Sequence, residues 1–222
     1  MFAHQLIFVL YCFFSHLVLF FFLIIVIGNT LVGKTSFIHR YVNNGFRPDY
    51  KSTIGVDFAI KQVQTSNNKN VKVQLWDIAG QERFTYLTRA YYKDAAGCVL
   101  MFDLGSAASF ENVRKWKADL DAKVRTQTGT LLPCILVANK SDKTPVCVND
   151  TDIQLMCEEL LFVGWTKTSV KDGTMVKEAM NYLLDIIFGI YPKSPSIFSN
   201  SISLSAKLPS EKTEKRKKSC SC

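Results

Sequence analysis

The stretch Gly28-Asn29-Thr30-Leu31-Val32-Gly33-Lys34-Thr35 decides how the rest of the chain is read. Its spacing is G-x-x-x-x-G-K-[ST], directly after the apolar run Leu23 to Ile27 and directly before a helix-like segment, Ser36 to Val42. A buried strand thus delivers the chain to a tight turn, where glycines let backbone N–H groups face inward around a β-phosphate. The helix behind the turn adds the positive end of its dipole. Lys34 can reach the β- and γ-phosphates, and the Thr35 hydroxyl can ligate Mg²⁺. Without the flanking strand and helix the same letters would be a glycine turn with an incidental Lys-Thr. The context favours the phosphate loop.

At 222 residues, 48% hydrophobic and 21% charged, the chain fits one globular α/β domain with appendages. The net charge of +8 invites a nucleic-acid reading. Much of the excess, however, is Lys207, Lys212, Lys215, Arg216, Lys217 and Lys218, opposed in that stretch only by Glu211 and Glu214. A basic tail is a local device, so no nucleic-acid partner is expected. The seven cysteines show no disulfide framework and no paired zinc spacing. Cys98 and Cys134 fall in expected buried strands and Cys157 in an expected helix, which points to reduced thiols.

Met1 to Ile27 is almost continuously apolar, and no Lys, Arg, Asp or Glu precedes Lys34. Alone it would read as a membrane helix or a signal segment. Leu23 to Ile27, however, is needed as the strand feeding the phosphate loop. The remainder, Leu6 to Phe22, would span only about 25 Å as a helix, short of a ~30 Å hydrocarbon core. Three readings stay open for residues 1–22: a mis-assigned start, a hydrophobic anchor or hairpin, or a helix packed on the domain.

Beyond the loop, Phe37, Ile38, Tyr41 and Val42 repeat at helical spacing up to Gly45. Phe46 to Ser52 reads as irregular. Val56 to Gln64 and the alternating Val71, Val73 and Leu75 read as a hairpin about Ser66 to Lys69. A buried strand is expected at Cys98 to Phe102, a helix at Ser109 to Ala122 and a strand at Ile135 to Ala138. A helix at Asp150 to Leu160, a last strand at Leu161 to Val163 and a closing helix at Met175 to Ile187 complete the domain. Ser109 and Asn112 offer cap chemistry near the start of the second of these helices. After Pro192 the composition turns to Ser, Pro and Lys without apolar period, as in a disordered tail. Strands alternating with helices imply a mostly parallel sheet covered on both faces.

The strand ends carry complementary chemistry. Phosphoryl transfer to water needs a phosphate cradle, a metal, an oriented water and a charge-stabilising group. Gly28 to Thr35 supplies the cradle. Thr35 and Thr53 offer two Mg²⁺ ligands, with Asp77 reaching the ion through water. The Gly80 N–H can bond the γ-phosphate and Gln81 can orient the attacking water. No arginine stands at a fitting place, so hydrolysis should be slow unless a partner supplies the cation. Asp142 accepts two donors, matching the ring N–H and amine of guanine, which adenine lacks. Asn139 and Lys140 would support the ring, and the turn Ser169-Val170-Lys171 would present backbone N–H to the guanine carbonyl. Each segment alone could be a polar turn. All four in order, each at a strand end, point to a nucleotide site.

Trp76-Asp77-Ile78-Ala79-Gly80-Gln81-Glu82-Arg83-Phe84, Asp49 to Phe58 and Tyr91-Tyr92-Lys93 give the chain its resemblance to a Rab small GTPase of the Ras superfamily. Ile78, Phe162-Val163-Gly164-Trp165 and Trp116-Lys117-Ala118-Asp119-Leu120-Asp121 resemble the branch serving lysosome-related organelles and trans-Golgi or retromer traffic. The likeness covers about Leu23 to Tyr191. It implies a P-loop G domain with a mostly parallel six-stranded sheet, preceded by residues 1–22 and followed by a hypervariable tail, 192–222.

By that resemblance the chain is a GTP/GDP switch using Mg²⁺, with Thr53 as the threonine that closes on GTP. Gly28, Leu31, Val32, Gly33, Ser36, Tyr50 and Phe46, the aromatic flanking guanine, complete the nucleotide set around Lys34. Phe58, Trp76 and Tyr91 match the aromatic trio presented to effectors. Exchange factors, activating proteins, effectors and prenylation and escort machinery are the implied partners. Val170 stands where the family usually has Ala, and Leu31 where it often has Gly.

The ending Ser219-Cys220-Ser221-Cys222 is not a CaaX box, which would need Cys at 219. It resembles the doubly geranylgeranylated Rab terminus, and two lipids at Cys220 and Cys222 beside Lys215 to Lys218 would satisfy the two-signal rule for anchoring. The expected place is the cytoplasmic face of Golgi, endosomal or lysosome-related membranes. The competing reading is a membrane-anchored, non-catalytic scaffold whose first strand is distorted and whose nucleotide site is impaired.

Overall fold

The structure is a computed structural model that describes residues 20–46, 53–64, 68, 70–80, 88–126 and 128–189. Six strands, β1 (Phe20–Ile27), β2 (Val56–Gln64), β3 (Asn70–Ile78), β4 (Ala95–Asp103), β5 (Cys134–Asn139) and β6 (Gly164–Thr168), form one sheet in the order β2-β3-β1-β4-β5-β6. Only β2 runs antiparallel, against β3, and it is the expected hairpin partner. The helices are α1 (Lys34–Asn43), α2 (Thr88–Tyr92), α3 (Ala107–Lys123), α4 (Asp150–Glu159) and α5 (Val176–Ile187).

β1 lies between β3 and β4, parallel to both, which explains its uninterrupted apolar sequence. Ile25 and Ile27 enter the core under α3 and α4, with Phe110, Val113, Leu120 and Ile153. Ile24 and Val26 enter the opposite core, with Phe37 and Ile38 of α1 and Met180 and Leu183 of α5. A strand buried on both faces has no solvent side on which polar residues would alternate. The strand begins at Phe20, three residues before the expected start, because Phe20, Phe21 and Phe22 continue the register against Val71, Lys72 and Val73. β1 pairs with β3 from Phe20 and with β4 from Leu23, with a register irregularity against β4 between Leu23 and Ile24, and nothing in this pairing favours the scaffold reading.

Three sequence expectations need correction. The last strand is not Leu161 to Val163. Leu161 is exposed in left-handed backbone at φ 56°, and the Phe162 N–H closes the end of α4 on the Cys157 carbonyl at 3.0 Å. The strand is Gly164–Thr168, whose buried Thr166 and Thr168 hide it from an apolarity reading. The cap of α3 is neither Ser109 nor Asn112: Ser106 accepts from the Ser109 N–H at 3.2 Å. The segment before Tyr91-Tyr92, where no element was expected, ends in the one-turn α2.

Cys98, Cys134 and Cys157 are buried and Cys147 is exposed, all as free thiols. No helix among the described residues is long and apolar enough to cross a membrane. Most of the N-terminal run and the tail with Cys220 and Cys222 lie outside the described residues.

Candidate functional site

The parallel strands β1, β3, β5 and β6 end at one edge of the sheet, and each passes directly into one of the singled-out segments. In open α/β sheets this edge, where strand order reverses about β1, is where ligands bind. A cleft of about 1050 Å³ opens there, bordered by Lys34, Thr35, Thr53, Asp77, Asp142 and Val170. Ligand pockets of roughly 300–1,000 Å³ hold compounds of drug size, so a nucleotide fits. Leu31, Gly33, Ser36, Phe46, Gly80, Asn139, Lys140 and Lys171 also line it. Gly28 and Val32 are buried beneath it. Tyr50 and Gln81 lie outside the described residues.

The turn from β1 to α1 explains its own residues. Gly33 sits at φ 100°, where a Cβ would be 2.5 Å from Asn139 Nδ2, so a side chain is excluded twice over. Gly33 caps α1 without a side-chain bond, and no acidic residue occupies the first turn. The first N–H groups of α1 therefore keep their positive potential for an anion. Gly80 packs so closely on the loop that a Cβ would stand 2.4 Å from the Asn29 carbonyl carbon and the Thr30 nitrogen. Leu31 adopts φ 65°, a conformation in which glycine is the easier residue.

Lys34 is 6% exposed, and its Nζ donates to the Gly28 carbonyl at 2.8 Å and the Asn29 carbonyl at 2.7 Å. Burial lowers its pKa to about 8, against which the Asp77 charge pulls upward. Beside it three side-chain oxygens converge. Thr35 Oγ1 lies 2.5 Å from Asp77 Oδ2 and 2.9 Å from Thr53 Oγ1, and Thr53 Oγ1 is 3.1 Å from Asp77 Oδ2. Asp77 Oδ1 is buried and has no hydrogen-bond partner among the described residues. Burial raises the Asp77 pKa, opposed by the bonds from Thr35 and Thr53 and by the Lys34 charge. Two hydroxyls and a carboxylate with an unsatisfied oxygen are a hard donor set that fits Mg²⁺.

The other end of the cleft is organised by Asn139. Its Nδ2 donates to the Val32 carbonyl at 2.8 Å, and its Oδ1 accepts from Thr168 Oγ1 at 3.1 Å and the Val170 N–H at 3.3 Å. One amide thus ties the β1–α1 turn to the turn after β6. Asp142 is oriented by Ser169, whose hydroxyl donates to Oδ1 at 2.8 Å. Lys140 pairs with Asp103 at 2.6 Å. The Val170 side chain is buried in the core under α1 and α5. Apart from the cleft's polar groups, Phe58, Trp76 and Tyr91 form a row, with ring centroids 6.2 Å and 6.4 Å apart.

A match to the Ras family spans residues 23–188. The chain belongs to the Ras family. It is 49% identical over 164 residues to the Ras-related protein Rab-7L1 of Rattus norvegicus, covering 74% of this chain and 80% of that protein. It is 43% identical over 202 residues to the Ras-related protein Rab-32 of Sus scrofa, covering 90% and 88% respectively. The Ras-related protein Rab-32B of Dictyostelium discoideum is 42% identical over 160 residues, 72% of this chain and 62% of its own length. As a Rab-type member of the Ras family the chain is a GTPase, a guanine-nucleotide switch in membrane traffic.

Two polar contacts of this Ras-family site were not legible in the sequence. Trp116 reads as an apolar-face residue of α3, and it is buried as such, yet its Nε1 donates to Asn29 Oδ1 at 2.7 Å. Arg40, on α1, carries no motif, yet its guanidinium reaches the turn after β6, 130 residues away. Neither has a local signal, because both partners are distant in sequence.

Proposed function

We propose that the cleft at the carboxyl edge of the sheet is the GTP site, and that the residues converging there divide the work. The backbone N–H groups from Gly28 to Ser36 cradle the phosphates, and Lys34 exchanges its two carbonyl partners for phosphate oxygens. Thr35 and Thr53 would hold Mg²⁺, with Asp77 behind them, and the bound ion would offset phosphate charge. Gly80 approaches the γ-phosphate through its N–H, and Gln81 orients the attacking water. Asp142 accepts from guanine, Phe46 and Lys140 flank the base, and Tyr50 completes the wall. GTP draws Thr53 and Gly80 inward, and hydrolysis releases them, so the surface around Phe58, Trp76 and Tyr91 differs between states for effectors.

The observation that carries this reading is the convergence of Thr35, Thr53 and Asp77 beside Lys34, with one buried carboxylate oxygen left unsatisfied. A buried acceptor without a partner costs about 1–3 kcal/mol, which a cation at that place would offset. Chelating divalent ions from the purified full chain should therefore speed release of its nucleotide at least tenfold. That nucleotide, identified by anion-exchange chromatography, should be GDP or GTP. Release unaffected by chelation, or recovery of an adenine nucleotide, would sink the assignment.

The lowered pKa of Lys34 adds a second expectation. With a folded pKa near 8, below its ordinary 10.5, the ammonium loses its proton as pH rises through 8, and a neighbouring phosphate restores it. Nucleotide binding should then take up more proton at pH 8.5 than at pH 7. Calorimetry in two buffers of different ionisation enthalpy reads this directly. Equal heats in both at pH 8.5 would show that Lys34 does not change its protonation on binding.

Exchange factors, a GTPase-activating protein that supplies the missing cation, and prenylation and escort machinery are the partners this reading requires. Lipids on Cys220 and Cys222 beside the basic cluster Lys215 to Lys218 would hold the chain at the cytoplasmic face of a Golgi, endosomal or lysosome-related membrane.

A further inference from the structure

We propose that Arg40 is a positioning residue for base recognition, acting through the backbone of the turn that meets the guanine carbonyl. This rests on the assignment of the cleft as the guanine-nucleotide site. Arg40 lies in the last turn of α1. Its Nε donates to the Val170 carbonyl at 2.8 Å, its Nη2 to the Lys171 carbonyl, and its Nη1 to the Asn44 carbonyl at 3.1 Å. A single planar fork therefore holds two successive carbonyls of the turn and the end of α1.

The consequence follows from peptide geometry. In a trans peptide the C=O and the following N–H point in opposite directions. Drawing the Val170 carbonyl towards α1 aims the Lys171 N–H away from α1. Drawing the Lys171 carbonyl the same way aims the Asp172 N–H away as well, where it meets Ser169 Oγ at 3.1 Å. That same Ser169 hydroxyl is 2.8 Å from Asp142 Oδ1. On the other side, the Val170 N–H is held by Asn139 Oδ1 at 3.3 Å. The turn is thus clamped from both sides, by an arginine on the phosphate helix and an asparagine at the end of β5.

A guanidinium suits this task because its donors form a rigid planar fork that spans three carbonyls at once, whereas a lysine ammonium is a compact point donor whose bonds radiate from one nitrogen. The turn also fits around the arginine stem: a Cβ on Gly173 would lie 3.6 Å from Arg40 Cδ. Arg40 need not touch the base. It sets the direction of the Lys171 N–H, the one that would.

The test compares GDP with the diphosphate of 2-aminopurine riboside, which keeps the guanine amine and lacks the 6-carbonyl together with the ring N–H assigned to Asp142. Affinities for both are measured on full-length wild type, Arg40→Ala and Arg40→Lys in the presence of Mg²⁺. Arg40→Ala should weaken GDP about five- to tenfold, the range of one hydrogen bond, and leave the 2-aminopurine nucleotide within twofold of wild type. Arg40→Lys should lose GDP preference in the same direction by a smaller factor, and it keeps the test available should the alanine variant not fold. Equal weakening of both nucleotides would mark Arg40 as a general structural tie and overturn the proposal, as would unchanged GDP affinity. If wild type itself bound GDP no better than ADP, the guanine assignment would fall, and this proposal with it. If wild type prefers GDP and both variants keep that preference, only the role of Arg40 falls.

Discussion

Changing Lys34 to Met is expected to weaken GTP and GDP by two orders of magnitude or more, without loss of the fold. The proposed site asks the ammonium to make two charge-assisted bonds to phosphate, each worth about 1.5–3 kcal/mol. Losing both corresponds to a factor of roughly 10²–10⁴ in affinity. The nucleotide-free protein should behave differently. There, the ammonium is buried against the Gly28 and Asn29 carbonyls, and its pKa falls from 10.5 to about 8. The unfolded chain keeps its proton up to the ordinary value, so below pH 8 the folded state carries the cost of burying the charge. That cost is relieved as pH rises from about 8 towards 10.5. Met has the same reach and no charge, so at neutral pH the nucleotide-free variant should match or exceed wild type in denaturant midpoint. Affinity and stability should thus move in opposite directions. A variant that lost stability and affinity together would point to a packing role for Lys34.

Asp142→Asn should exchange one base for another. As a carboxylate, Asp142 only accepts, and Ser169 holds one of its oxygens at 2.8 Å. Guanine presents two donors, a ring N–H and an amine, so both ends of the contact are satisfied. Asparagine turns one acceptor into a donor and leaves the guanine amine facing an NH₂ group. Xanthine replaces that amine with a carbonyl, which the asparagine NH₂ can serve. The variant should lose roughly 10²–10⁴-fold in GTP affinity, the worth of two hydrogen bonds to a charged group, and bind xanthosine triphosphate better than GTP. Competition of the two triphosphates for the purified variant decides it. Continued preference for GTP would mean that the base is read elsewhere.

The fold was legible to the degree that its signals were local. The phosphate loop announces itself by glycine and lysine spacing, and the β2–β3 hairpin by alternation along Val71, Val73 and Leu75. The apolar helix faces are visible because Phe110, Val113, Trp116 and Leu120 repeat at helical spacing. β6 was misplaced because Thr166 and Thr168 are buried polar residues, and apolarity alone preferred its neighbour, Leu161 to Val163. Ser109 and Asn112 offer the same polar chemistry as the actual cap of α3, Ser106, whose extended backbone and bond from the Ser109 N–H select it only in the structure.

The sequence by itself determined the family-level architecture and the residue types available at each strand end, because both are written in short motifs and in periodicity. Which of those residues meet was decided by the tertiary structure. Thr35, Thr53 and Asp77 come from α1, the segment before β2 and β3, and share one point only once the sheet is ordered β2-β3-β1. Asn139 reaching Val32, Trp116 reaching Asn29 and Arg40 reaching Val170 each close more than eighty residues of chain. Hydrogen bonds act over about 3 Å, and no periodicity along the chain records such a distance. The sheet supplies it.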